Sequence, residues 1–168
     1  MPISPQDNLT LIGMPGVGKS TVGVLLAKAT GRNFVDTDVY LQAGAGRNLQ
    51  EIIDAEGLEA FCKLEEEYLL CLDVKGYVIA TGGSAVYSLT GMKYLQSTGP
   101  VIWLQLPLEE LKHRLGDLAV RGVVMPADQT IDELFAARQP YYQTWADNTI
   151  PCAGKTQDDI VAEILRQL

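Results

Sequence analysis

Apolar positions fall into two kinds of run along this chain, and the two kinds alternate. Short, nearly continuous apolar stretches occur at 9–13, 77–80 and 101–106, with briefer ones at 33–35 and 149–152. Runs of this kind suit parallel strands covered on both faces, so these five segments read as strands. Between them, apolar residues recur every three or four positions. Phe61, Leu64, Tyr68 and Leu72 mark one face of a predicted helix over 58–72, and helical patterns also cover 20–29, 108–115, 131–145 and 158–168. Phe135, Tyr142 and Trp145 read as packing on the fourth of these. The alternation implies a doubly wound α/β sheet with ligands at the carboxyl ends of its strands. No repeat or linker splits the chain, which reads as a single domain over 1–168.

Composition narrows the class. The chain has 168 residues, 47% hydrophobic and 20% charged, as in ordinary globular proteins. Its formal charge of −8 argues against non-specific nucleic-acid binding but leaves room for a few local cations around an anionic ligand. No run is long enough to span a bilayer, and Met1-Pro2-Ile3-Ser4-Pro5 has no signal-peptide pattern, so a cytoplasmic enzyme without membrane partners is expected. Cys62, Cys71 and Cys152 form no C-x-x-C pair. Cys71 and Cys152 read as buried or half-buried thiols.

The chemistry begins at Gly13-Met14-Pro15-Gly16-Val17-Gly18-Lys19-Ser20-Thr21, which fits G-x-x-x-x-G-K-[ST] between a strand and a helix. Backbone N–H groups of such a loop surround phosphate oxygens, the lysine neutralises the β- and γ-phosphates, and the serine hydroxyl can ligate Mg²⁺. The helix that follows aims its positive end at the same phosphates. ATP and Mg²⁺ are the expected cofactors, and Gly13, Pro15, Gly16, Val17, Gly18, Lys19, Ser20 and Thr21 the residues that hold them. A GTPase would normally add N-K-x-D, which is absent, and the D-x-x-G match at Asp54-Ala55-Glu56-Gly57 sits in a helix-rich stretch. Asp36-Thr37-Asp38 offers two carboxylates at the end of the second strand, one to orient the metal and the other to accept a proton from a substrate hydroxyl. The alternative for Asp38 is an N-cap of a helix starting near Val39. Thr81-Gly82-Gly83-Ser84 ends the third strand, where a tight turn or a close approach to ligand is expected beside the phosphate loop. The stretch 116–128, with two glycines, a proline and one arginine, reads as a lid.

In order, GMPGVGKST, FVDTD, EGLEAFCKLEEE, ATGGSAV, VRGVV and ARQPYYQTWAD together resemble the shikimate kinase family over nearly the whole chain. The resemblance implies a three-layer P-loop kinase fold, a five-stranded parallel sheet of order 2-3-1-4-5 with helices on both faces, a mobile lid and a substrate-binding region around 38–65. It also implies transfer of the ATP γ-phosphoryl group to the shikimate 3-hydroxyl. By position, Asp38 corresponds to the carboxylate that holds substrate hydroxyls, and Arg121 to a lid arginine at the transferring phosphoryl group. Arg138 matches an arginine on the substrate carboxylate, Arg114 an arginine near adenine, and Ala153 falls in the loop near the base. Gly82, Gly83, Ser84 and Cys62 complete the implied substrate site. A monomer is the default for a kinase this small.

The departures gather on the acceptor side. Where the family has an arginine after phenylalanine, this chain has Cys62, and a thiol brings no positive charge. Loss of one partner of a charge-assisted pair typically costs roughly 1.5–3 kcal/mol. Gly57-Leu58 replaces Gly-Glu, Ser84 replaces the third glycine of the turn, and Gly122-Val123-Val124 replaces proline and two leucines. Lys63 is an imperfect substitute, because adjacent helical positions point about 100° apart. Three readings follow: a kinase for shikimate, a related kinase for another small hydroxyl compound such as homoserine or a sugar acid, or a non-catalytic nucleotide-binding module.

Overall fold

Strands are most apolar at the centre of the sheet they build. The computed structural model describes residues 3–116 and 129–168. Five parallel strands, β1 (Leu9–Ile12), β2 (Asn33–Asp36), β3 (Tyr77–Ala80), β4 (Val101–Gln105) and β5 (Asn148–Pro151), lie in the order β2-β3-β1-β4-β5. Every residue of β1 is buried, as are all but one end residue of β3 and of β4. The edge strands β2 and β5 have mixed burial, and Pro151, which cannot donate to a ladder, is tolerated at such an edge.

Eight helices accompany the strands among the described residues: α1 (Lys19–Thr30), α2 (Thr37–Ala45), α3 (Leu49–Glu56), α4 (Leu58–Leu70), α5 (Leu89–Thr98), α6 (Leu108–Leu115), α7 (Ile131–Trp145) and α8 (Gln157–Gln167). Parallel crossovers are right-handed, so the outward step from β1 to β2 and the return steps toward β5 put their helices on opposite faces. Accordingly α1 packs with α8, while α4 packs with α5. The main core fills both sides of the sheet. A second, smaller cluster of Leu41, Leu49, Ile52 and Phe61 holds α2, α3 and α4 together.

The observed sheet order and the strand–helix alternation are those expected, and the differences are local. α5 was not anticipated: Gly91 and the threonines of LTGMKYLQST weaken its pattern, yet the Ser88 side chain caps it by accepting from Gly91 N at 2.8 Å. α3 starts in a capping box, with Asn48 and Glu51 satisfying each other's backbone N–H groups. The predicted helix over 58–72 stops at Leu70, and Cys71 is its C-cap. Cys71 lies off the buried stripe and is exposed, not buried or half-buried as expected, whereas Cys152 is buried and Cys62 intermediate. Among the described residues no helix is long and apolar enough to cross a membrane.

Candidate active site

The phosphate loop leaves the buried end of β1 and turns into α1 through Gly18, whose φ of 104° is a left-handed conformation that favours glycine. Met14 and Val17 anchor it in the core, while Gly16, Ser20 and Thr21 face outward and Pro15 is partly covered. Lys19 is buried and donates to the carbonyls of Gly13 at 2.7 Å and Met14 at 3.1 Å. Burial lowers its pKa to about 8, against the opposing pull of Asp38 and Asp36. Arg114, at the end of α6, donates to Val17 O at 3.3 Å. It also lies close enough to Cys152 to offset part of the burial that pushes that thiol up to about 11. Arg114 and the exposed Ala153 therefore flank the same side of the loop.

Ser20 and Asp36 come together from α1 and β2, with Ser20 Oγ donating to Asp36 Oδ2 at 2.5 Å. The other oxygen, Oδ1, accepts from Asp38 N at 3.0 Å and Val39 N at 3.2 Å. Asp36, not Asp38, is thus the N-cap of α2, because its extended backbone is the one that precedes the first helical residue. Asp38 is freed from that duty. Its pKa is raised, first by burial and then by Asp36, with Lys19 and Arg138 opposing.

The turn after β3 does lie beside the phosphate loop, since Thr81 donates from both its backbone N and its Oγ1 to Leu11 O in β1, at 3.1 and 3.0 Å. Gly82 N donates to Thr37 Oγ1 at 3.0 Å, which ties the turn to the start of α2. Three functional side chains converge on this turn. A Cβ at Gly82 would stand 2.5 Å from Asp38 Oδ1 and 2.5 Å from Glu65 Oε1; one at Gly83 would stand 2.6 Å from Arg138 Nη1 and 3.2 Å from Pro15 Cγ. A side chain at either glycine would force at least one of them to move.

Arg138 occupies the buried stripe of α7 with Leu134, Tyr142 and Trp145 and is 1% exposed. Its Nε donates to Tyr87 Oη at 3.2 Å, and its guanidinium carbon lies 5.4 Å from the Tyr87 ring centre. Trp145 Nε1 donates to Val86 O at 2.9 Å, which clamps α7 onto the segment after the glycine turn. A planar cation held this way is suited to a carboxylate or phosphate.

Glu65 was missed. It is buried within α4 between Phe61 and Leu69, and it accepts from Ser84 Oγ at 2.6 Å through Oε2. Burial pushes its carboxyl up to about 7, with Asp38 adding to the rise and Ser84 and Arg138 opposing it. The signal was in the sequence: a glutamate four residues after Phe61 and four before Leu69 falls on the apolar face. Tyr87 and Thr37 were missed too, and neither carries a sequence signal of its own. Cys62 is half-buried beside Glu65 and lines a cleft of about 180 Å³ with Glu59, Glu65, Ser84 and Tyr87. Burial and Glu65 push its thiol pKa up. Lys63 also borders this cleft, but its amine pairs at 2.9 Å with Glu59, where both are largely exposed. Arg121 and Gly122-Val123-Val124, with all of 116–128 except Gly116, lie outside the described residues.

A family model described as shikimate kinase matches residues 15–168. A curated shikimate kinase from Symbiobacterium thermophilum is 39% identical over 166 residues, covering 96% of this chain and 95% of the relative. Another, from Synechococcus sp., is 40% identical over 165 residues, covering 96% and 84%. Among solved structures, a shikimate kinase from Acinetobacter baumannii in complex with shikimate superimposes with a TM-score of 0.88 at 30% identity, covering 96% of this chain and 92% of that one.

Proposed function

The chain belongs to the shikimate kinase family, and from that premise we infer an ATP-dependent kinase that transfers the γ-phosphoryl group to a hydroxyl of shikimate. The observation that supports this reading best is the convergence of Asp38 and Arg138 on the Gly82-Gly83 turn, directly beside the phosphate loop. In the reaction, the acceptor's 3-hydroxyl oxygen forms a bond to the γ-phosphorus. The bond from that phosphorus to the β,γ-bridging oxygen breaks, and ADP leaves. Asp38 orients the hydroxyl and takes its proton, a role suited to a buried carboxylate facing Lys19. Arg138 holds the acceptor carboxylate and Lys19 offsets charge on the transferring group. Gly13, Gly16 and Gly18 let loop amides reach the phosphates, with Pro15, Val17 and Thr21 shaping the loop. Arg114 and Ala153 border the adenine. Arg121 is assigned to the transferring phosphoryl group by its place in the motif alone.

The residues fit a magnesium ion. Ser20 Oγ and Asp36 Oδ2 lie side by side at the mouth of the loop, and Mg²⁺ needs only one or two protein oxygens when phosphates and water supply the rest. Bound there, it would neutralise phosphate charge.

A coupled ADP-release assay with shikimate, homoserine and gluconate, with and without EDTA, tests the reading. Turnover of shikimate that EDTA abolishes is expected. Turnover of another acceptor but not of shikimate would overturn the substrate assignment. ATP binding without turnover of any acceptor would favour a non-catalytic module.

A further inference from the structure

On the shikimate kinase reading, on which this inference rests, Cys62, Glu65 and Ser84 border the acceptor. Among the described residues Glu65 is a buried acid hydrogen-bonded through Oε2 to Ser84, and its Oε1 has no partner. Position 62 lies one helical turn earlier on the same helix, three residues away and therefore a neighbour on its surface. A basic side chain there would reach the Glu65 carboxyl, but the residue is Cys62, and Lys63, at the exposed rim of the cleft, pairs with Glu59 instead. The hydroxyl at 84 comes from a different element, at a backbone of φ −88° and ψ −14°, where serine costs no strain. Two departures from the family pattern, a lost cation and a gained hydroxyl, thus meet at one carboxyl group.

We propose that Ser84 is a positioning residue for the acceptor, coupled to Cys62: its hydroxyl anchors Glu65 in place of a cation at position 62. Anchored, Glu65 stays on the α4 side of the glycine turn. Released, its carboxyl would compete with the acceptor's carboxylate for Arg138, whose charge already bears on it. Ser84 therefore acts on acceptor binding through Glu65 and not on the nucleotide.

A double-mutant cycle tests this with the full chain: wild type, Ser84→Gly, Cys62→Arg and the double variant, with Ser84→Thr as the conservative control. In the wild-type background Ser84→Gly should raise the shikimate KM about tenfold while the ATP KM stays within twofold, and Ser84→Thr should restore most of the loss. In the Cys62→Arg background the same glycine substitution should raise the shikimate KM less than twofold. An equal factor in both backgrounds, or a rise in both substrates' KM values, would overturn the coupling. If wild type does not turn over shikimate, the functional reading fails, and the cycle is read by thermal denaturation without acceptor. Additive Tm changes across the four proteins would then overturn the proposal, and a smaller loss for Ser84→Gly beside Arg at position 62 would uphold it.

Discussion

Glu65→Gln should stabilise the protein, and should do so increasingly as pH rises. The Glu65 carboxyl is 4% exposed and its pKa stands at about 7, against an ordinary value of 4.5. Between these values the folded chain keeps a proton that the unfolded chain has lost, so stability falls as pH rises through that window and levels off above it. At 1.36 kcal/mol per pH unit, the full loss is about 3 kcal/mol. Glutamine stays neutral, can still accept from Ser84, and places an amide rather than a second carboxylate opposite Asp38 across Gly82. The scan should begin well above the sequence pI of about 4.6 to avoid precipitation. From pH 5.5 to 8.5 the stability difference between variant and wild type should grow by about 2 kcal/mol. For a domain of this size that is roughly 4–8 °C in Tm. Calorimetry or circular dichroism at matched ionic strength reads it directly, and titrations common to both proteins cancel in the difference. A flat difference curve would refute the claim that burial dominates at Glu65. Such a flat curve would mean that Ser84 and Arg138 hold the group ionised across the whole range, because the unfolded carboxyl has already lost its proton there.

Asp36→Asn keeps an oxygen to cap α2 but loses charge beside Ser20, so kcat should drop by about 100-fold with Tm nearly unchanged. Asp36→Ala should also lose about 1 kcal/mol of stability through the missing cap, and equal Tm values for the two variants would contradict the capping role. Gly83→Ala drives a Cβ into Arg138 and should raise the shikimate KM while leaving the ATP KM within twofold, as steady-state kinetics would show. Because Lys19 loses its proton near pH 8 in the free protein, the ATP Kd measured by calorimetry should rise as pH passes 8 toward 9.5. A Kd that stays flat over that range would count against a desolvated Lys19 as the phosphate ligand.

How much could be read from the sequence depends on how locally each piece is made. The phosphate loop and the glycine turn are contiguous, and their chemistry comes largely from backbone groups, so spacing alone located them. The central strands were legible because burial on both faces leaves nearly continuous apolar runs. Arg138 was legible through its motif, although only the fold shows that it sits in the core stripe of α7. Glu65 was overlooked because three consecutive glutamates, Glu65 to Glu67, look like a solvated face until Phe61 and Leu69 are used to set the helix phase. The cap of α2, offered as an alternative for Asp38, falls to Asp36 because a shift of two residues in a helix start lies within the ambiguity of the pattern.

The same difference in construction explains why the departures from the family collect on one side. The proposed donor site is a single loop held by the main core, and the groups it offers a phosphate are mostly main-chain amides that substitution cannot remove. The proposed acceptor site draws side chains from α2, α4, the turn after β3 and α7, and α2 to α4 have their own small cluster of Leu41, Leu49, Ile52 and Phe61. A change at Cys62 is therefore felt by Glu65 and Ser84 without passing through the strand that carries the loop. Arg138 is the exception, since its stripe includes Tyr142, which stacks on Trp103 of β4 at 5.6 Å between ring centres. Substituting Arg138 would disturb packing and recognition together, whereas position 62, half-buried at a cleft, can vary alone. On the proposed reading, that asymmetry makes Cys62 and Ser84 the adjustable part of the acceptor clamp and Arg138 its fixed part.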